Sequence, residues 1–343
     1  MKKFFMNHLS TIVLAVLLVG ISLGSLFIGA VDLDITKIFS DEVQRIVFLD
    51  SRLPRLLAIL CTGVGMSVAG LIMQQLCMNK FVSPTTGATI QSSQLGLVVA
   101  ALIIPNATLW SFAAIAFVFA MGGTWIFVAF IQRVKFKDVI MVPLIGIMLG
   151  YVITGVTNFI AYSFDMTQQL SSWMTGNFSL IMTGRYEIVY LVVPMVILAI
   201  IFANYFNIVG MGKDFATNLG VKYNLVLFFG ISISAMITAS VVVIVGQISY
   251  IGLIIPNIIA MFKGDRIKGT ITDTALLGAL FVLVCDIIAR TVTRPFEVPI
   301  EMIVGIVGSI LYILTIIYRM KFGNKSVGLI VGKLKERRGA ING

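Results

Sequence analysis

The sequence predicts an all-α, polytopic membrane protein, and three observations carry that prediction. Hydrophobic residues make up 59% of the 343-residue chain and charged residues only 12%. Mean hydropathy is +1.03. Soluble domains carry roughly 25% charged residues, enough to cover a globule; here 25 basic and 15 acidic side chains leave most of the outside to lipid. Thirdly, apolar runs near the roughly 20 residues that cross a bilayer recur along the whole chain. A disordered chain, a disulfide-stapled secreted module and a soluble enzyme are excluded at this step.

The runs predict about ten transmembrane helices, at 9–30, 54–77, 88–104, 109–131, 139–163, 187–206, 224–245, 247–262, 274–290 and 301–318. The first follows Lys2 and Lys3, is too long for a signal-peptide core and has no cleavage site before Asp32, so it reads as a retained span. The second opens at Pro54, which suits a first helical turn because its missing N–H is not needed there. Between the second and third lies a polar turn, Asn79-Lys80-Phe81-Val82-Ser83-Pro84. The fifth carries Gly146, Gly150 and Thr154 at steps of four, a small-residue stripe for close helix packing. Gly63, Ser67 and Leu71 start a similar, fading stripe in the second. The seventh and eighth are separated by little more than Gly246-Gln247, and the ninth holds Asp286 and Arg290, the exceptions among spans otherwise almost free of ionisable residues.

Ten crossings put both termini on one side, and charge identifies it as the cytoplasm. With that orientation 18 of the 25 Lys and Arg lie inside and 7 outside, while the 15 acids divide 5 to 10, as the positive-inside rule requires. The net charge of +10 is therefore a topology signal; with no basic face outside the loops, nucleic-acid binding is excluded. Residues 1–320 form one transmembrane domain, and 321–343 a basic cytoplasmic tail suited to anionic headgroups.

Several chemistries are missing. Cys61, Cys77 and Cys285 lie within apolar runs and read as small buried hydrophobes. The lone His8 and the absence of any CxxC leave no metal site. Gly328 to Lys333 has the wrong glycine spacing for a phosphate loop and lacks the following Ser or Thr, so energy for transport must come from a partner. Spans without Asp, Glu or His at depth argue against an ion-coupled secondary carrier, and no HExxH or comparable acid–base set points to a hydrolase.

Polar motifs remain at the membrane faces, in order: Arg52-Leu-Pro-Arg55; Gln74-Gln75 with Asn79 to Pro84; Gly212-Lys213-Asp214-Phe-Ala-Thr-Asn-Leu219-Gly220; Gly246-Gln-Ile-Ser-Tyr-Ile-Gly-Leu-Ile-Ile-Pro256-Asn257; Asp286-Ile-Ile-Ala-Arg290; and Glu297-Val-Pro-Ile-Glu301. Together they resemble the FecCD-type membrane permeases of ABC importers for iron–siderophores, haem and vitamin B12, over residues 45–320. The variants NKFVSP and PNIIAMFKGD look most like the branch that imports catecholate-type siderophores.

The resemblance implies a type II ABC importer permease fold in a bacterial cytoplasmic membrane, with no catalytic residue or cofactor of its own. ATP and Mg²⁺ would be held by cytoplasmic ABC ATPase subunits, and a second permease copy or homologue would complete the pathway. It implies that Arg52, Arg55 and Arg290 dock an extracytoplasmic siderophore-binding protein. Val209 to Val221, with Gly210, Gly212, Lys213, Asp214, Leu219 and Gly220, would couple to the ATPase, and the turn at Lys263 to Lys268 would be a second contact. Asn79, Lys80 and Phe81 would form a cytoplasmic gate. Haem or cobalamin remains the alternative cargo. Glu301, where many members have glycine, departs from the pattern and adds negative charge at the outer mouth.

Overall fold

The structure is a computed structural model that describes residues 2–29, 34, 41–104, 108–133, 140–264, 266–294 and 296–318. The expected basic tail, 321–343, lies outside the described residues. The chain is mostly helical, with no strands among the described residues. The helices are α1 (Lys2–Ser25), α2 (Glu42–Leu76), α3 (Thr89–Ile103), α4 (Leu109–Arg133), α5 (Met141–Ser163), α6 (Thr167–Met174), α7 (Glu187–Val209), α8 (Lys213–Asn218), α9 (Tyr223–Val245), α10 (Ile251–Lys263), α11 (Ile267–Thr291) and α12 (Ile300–Tyr318). Seven of them (α2, α4, α5, α7, α9, α11 and α12) are long and apolar enough to cross a membrane; α3, α10 and Leu9–Ser25 of α1 are shorter apolar helices.

Central to the bundle is α2, enclosed by α7, α9, α10 and α11, while α5 and α12 leave most of their surface uncovered. Close approach to α2 depends on its small residues. Gly63 and Ser67 meet the backbone of α11 at Gly278, and a Cβ at Gly70 would overlap the Gly252 carbonyl of α10. The stripe that fades at Leu71 in a strict four-residue step thus continues at Gly70. In α5, Gly146 lies against the Thr86 backbone and Gly150 against Gln91. Thr154 is only half-buried, and the covered face passes instead to Thr157 and Ala161. A four-residue step overshoots 3.6 residues per turn, so two such steps drift off the contact line.

Prolines expose a second rule of assembly. Pro54 does not open α2, as expected from sequence, but sits inside it: the helix starts at Glu42 and passes through a π-helical turn at Val47–Arg52. A proline has no N–H for the carbonyl four residues earlier. That carbonyl, on Asp50, accepts instead from the Thr183 N–H at 3.1 Å, and the Thr183 hydroxyl reaches the Asp50 carboxylate at 3.1 Å. In α10, Pro256 likewise frees the Gly252 carbonyl, and the Gln74 amide donates to it at 3.3 Å and to Leu253 O at 3.2 Å.

The break at Gly246-Gln247 is real. Gly246 has φ +88°, and five residues run from there to the start of α10 at Ile251. A 13-residue α10 rises ~20 Å, short of the ~30 Å hydrocarbon core; five extended residues add ~16 Å. Such backbone needs partners within the protein. Asn177 N–H donates to Val245 O at 2.8 Å, Thr175 bridges Gln247 in parallel, and the Gln94 amide donates to Gln247 Oε1 at 3.0 Å.

Gly70→Val should overpack the α2–α10 contact by about 1–3 kcal/mol and lower the apparent melting temperature in detergent. Gly20→Ala, where nothing stands within 4 Å, should not lower it.

Candidate functional site: an arginine cleft and a glycine-bracketed loop at opposite ends of the bundle

Helices α1, α2 and α11 and the segment before α12 converge at one end of the bundle on five charged side chains. Asp286 is at the centre, fully buried. Its Oδ1 receives Arg55 Nη2 at 2.8 Å, and its Oδ2 receives Arg290 Nη2 at 2.6 Å, one helical turn on. Arg55 also holds Glu297, Nη1 to Oε2 at 2.8 Å and to Oε1 at 3.0 Å. The end of α1 supplies carbonyls: Arg290 Nη1 donates to Ser25 O at 3.1 Å and to Ile28 O at 2.8 Å, and Arg52 donates to Ile28 O as well. Cations placed on the carbonyls that end a helix complement its dipole.

From sequence these arginines were expected to stand at the outer surface. The structure brings all three together but draws them in: Arg52, Arg55 and Arg290 are 8%, 9% and 5% exposed. They line a cleft of about 310 Å³ with Gly29, Ser51 and Glu297. Buried charge is costly unless paired, which explains why the D-x-x-A-R acid and arginine are adjacent on one helix face, with the acid reaching Arg55 of α2 and the arginine reaching the end of α1.

At the opposite end, the segment between α7 and α9 forms a tight loop around α8. Gly212 (φ +110°) and Gly220 (φ +74°) bracket it in conformations that disfavour a side chain. Gly210 differs: it is helical, and it is glycine because the Gln75 side chain packs on it. Lys213 and Asp214 are exposed. So are Met211, Phe215 and Leu219, at steps of four, forming an apolar ridge.

Beside this loop, the turn after α2 is braced from within. Phe81 N–H donates to Asn79 Oδ1 at 2.9 Å, and Asn257 Nδ2 to Lys80 O at 2.9 Å. Phe81, 41% exposed, meets Tyr312 of α12 edge-on at 6.5 Å between ring centres. Gln74, Gln75, Asn79, Lys80, Gly210 and Thr270 line a polar cleft of about 220 Å³ there.

Sequence reasoning missed three features. Helix α11 starts at Ile267, so Asp273 is a further ionisable group within it, buried and paired with Lys263 while accepting from Thr11 Oγ1 at 2.6 Å. Lys263 is thus turned into the bundle, and of the expected second contact Arg266 and Lys268 remain exposed; Asp265 lies outside the described residues. On α5, Tyr151, Gly155, Asn158 and Tyr162 form an exposed stripe at helical spacing. An exposed amide in a spanning helix is expensive against lipid and marks a watered or partner-covered face. The spacing of Tyr151, Asn158 and Tyr162 was visible in the sequence, but not which face was open. Glu301 sits beside this stripe with Asn158, Thr167, Ser171, Thr175 and Gln247.

The geometry defines an integral membrane protein with a cationic cleft at one end and a glycine-bracketed loop at the other, a layout suited to a transport subunit worked by other proteins. The chain belongs to the FecCD transport family, whose description matches residues 13–319. It is 43% identical over 310 residues, 90% of this chain and 98% of the relative, to the petrobactin import system permease protein YclN of Bacillus subtilis. It is 36% identical over 293 residues, 84% of this chain and 92% of the relative, to the ferric-anguibactin transport system permease protein FatD of Vibrio anguillarum. Among solved structures, an inward-facing conformation of a metal-chelate type ABC transporter matches with a TM-score of 0.77 and 25% identity, over 90% of this chain and 98% of that one.

Asp286→Asn should leave Arg55 and Arg290 without their shared counter-ion and destabilise the fold by about 3–5 kcal/mol. Glu297→Gln, at the open side of the cleft, should cost about 0–1 kcal/mol. Unfolding of the purified protein in detergent separates the two.

Proposed function

We propose that this chain is the permease subunit of a binding-protein-dependent ABC importer in the bacterial cytoplasmic membrane, moving ferric siderophores inward. The observation that carries this reading is the 43% identity with the petrobactin permease across 90% of the chain, together with an anguibactin permease at 36%. The catecholate class of cargo follows from the first of these and from the NKFVSP and PNIIAMFKGD variants.

In this reading the seven long and three shorter apolar helices make ten crossings, and both termini are cytoplasmic. The excess of basic residues in the inner segments supports that orientation, which puts the arginine cleft outside and the α8 loop inside. A second permease, identical or homologous, covers the exposed stripe of α5, and the pathway runs between the two. The binding protein presents carboxylates to the arginine cleft, whose guanidiniums favour them. Because Arg55 is already held by Glu297, docking is an exchange of one carboxylate for another. On the inner face the Met211–Phe215–Leu219 ridge seats in the ATPase, which holds ATP and Mg²⁺, and the turn at Asn79, Lys80 and Phe81 closes the pathway against Tyr312. Transport then requires two states of the permease pair, biased from both faces.

Proteoliposomes containing the permease pair and its ATPase should take up radiolabelled ferric siderophore only with binding protein outside and ATP inside; uptake driven by an ion gradient alone would overturn the proposal. Glu297→Gln should tighten binding-protein association several-fold by freeing Arg55, and weaker or unchanged association in a surface-binding assay would remove the exchange. Gly220→Val places a β-branched residue at φ +74°, where strain is of order 1–3 kcal/mol. It should leave ATP hydrolysis running with uptake lost; normal coupling would count against the α8 loop.

A further inference from the structure

The acids that face the interior of the bundle at its charged clusters are paired with cations: Asp286 and Glu297 with the arginines, and Asp273 with Lys263. Glu301, half-buried in the first turn of α12, is not. Its contacts are two long backbone hydrogen bonds with Gly176, in which Glu301 N–H donates to Gly176 O at 3.4 Å and Glu301 Oε2 accepts from Gly176 N–H at 3.5 Å. Among the described residues no cation pairs with it.

Its surroundings are those of a binding pocket. Glu301 lines a cleft of about 350 Å³ whose other walls come from α5, α6, the segment after α6 and the break before α10. The side chains they contribute are uncharged: Asn158, Thr167, Ser171, Thr175 and Gln247 are polar, and Leu170 and Met174 complete the wall. Asn158 belongs to the exposed stripe of α5, so the cleft is continuous with the face assigned above to the pathway. An unpaired carboxylate within reach of a bilayer is unfavourable unless it serves a ligand, and a ring of hydroxyls and amides can complete the hydrogen bonds of an ammonium group but cannot neutralise the acid.

We propose that Glu301 forms a cation-recognising subsite at the outer mouth of the pathway, which favours cargo carrying a protonated amine over equivalent cargo without one. The subsite rests on the transport reading above. The carboxylate supplies the charge, Asn158, Thr167, Ser171 and Gln247 supply oriented dipoles, and the Gly176 contact holds the acid towards the cleft. A charge contact made on entry and broken on passage affects which cargo is admitted and leaves the machinery at the two ends of the bundle untouched.

The test uses the complete importer in proteoliposomes and two ferric chelates with the same catecholate donors, one with a free backbone amine and one with that amine acetylated. Glu301→Gln keeps the size of the side chain and its acceptor for Gly176 N–H while removing the charge. It should lower uptake of the amine chelate roughly five- to tenfold, mainly through KM, and change the acetylated one by less than about twofold. Glu301→Asp should restore part of the preference. Equal effects of Glu301→Gln on both chelates, or none on either, would overturn the subsite, with any equal loss assigning Glu301 to the structural contact with Gly176. Should Glu301→Gln fail to assemble, the Glu301→Asp preference ratio and the inhibition of wild-type uptake by external spermidine decide it; a ratio equal to wild type with no inhibition overturns the subsite. Failure of the wild-type importer to move either chelate would instead refute the transport reading.

Discussion

A carbonyl that loses its helical N–H inside a bilayer has no water to turn to, and the need to re-satisfy such groups from within the protein organises this fold. Pro54 and Pro256 each create one. Thr183 answers the first from the loop before α7, and Gln74 answers the second from the end of α2. The same demand governs the extended stretch after α9, where Asn177 supplies an N–H and Gln94 an amide to Gln247. Each of these contacts ties together elements far apart in sequence. Pro256 and Gln74, from two different motifs, are therefore two halves of one arrangement: the proline frees the Gly252 carbonyl and the glutamine satisfies it.

Charge follows a parallel logic. Asp286 is buried because two arginines reach it, and the arginines are tolerated in the helices because Asp286, Glu297 and the carbonyls ending α1 receive them. The resulting cluster is strongly constrained at its centre and looser at Glu297, where the cleft opens. In the proposed docking, structural and functional demands are thus divided among the acids: Asp286 fixes the helices in place, while Glu297 would be the one to let go.

Much of this was legible in the sequence. Ten apolar runs fall where the structure has apolar helices, because hydropathy over some twenty residues is a strong signal that local context seldom reverses. The ordered motifs gave the family. Helix ends were less legible. The segment before Pro54 is amphipathic and charged, so only the π-helical turn and the Thr183 contact reveal that α2 runs on to Glu42. Asp273 reads as a loop residue because its charge argues against a helix interior; Lys263, at the end of α10, pairs with it and makes it tolerable. The burial of Arg52 and Arg55 was likewise invisible, since a positive charge beside Pro54 reads as a surface residue until its carboxylate partners some 230 and 240 positions later are brought alongside. Glu301 could be flagged as unusual from sequence, but its neighbours could not.

Helix α2 has one further property. It carries Arg55 and, 20 residues on, places Gln75 on Gly210, beside the α8 loop. Between these two, Gly63 and Ser67 lie directly on the backbone at Gly278. That contact is a natural fulcrum. With arms of about 15 Å to Arg55 and to Gln75, each degree of tilt moves either residue by roughly a quarter of an ångström, so tilting of one rigid rod would link the arginine cleft to the α8 loop without any need for a relay of side chains between them.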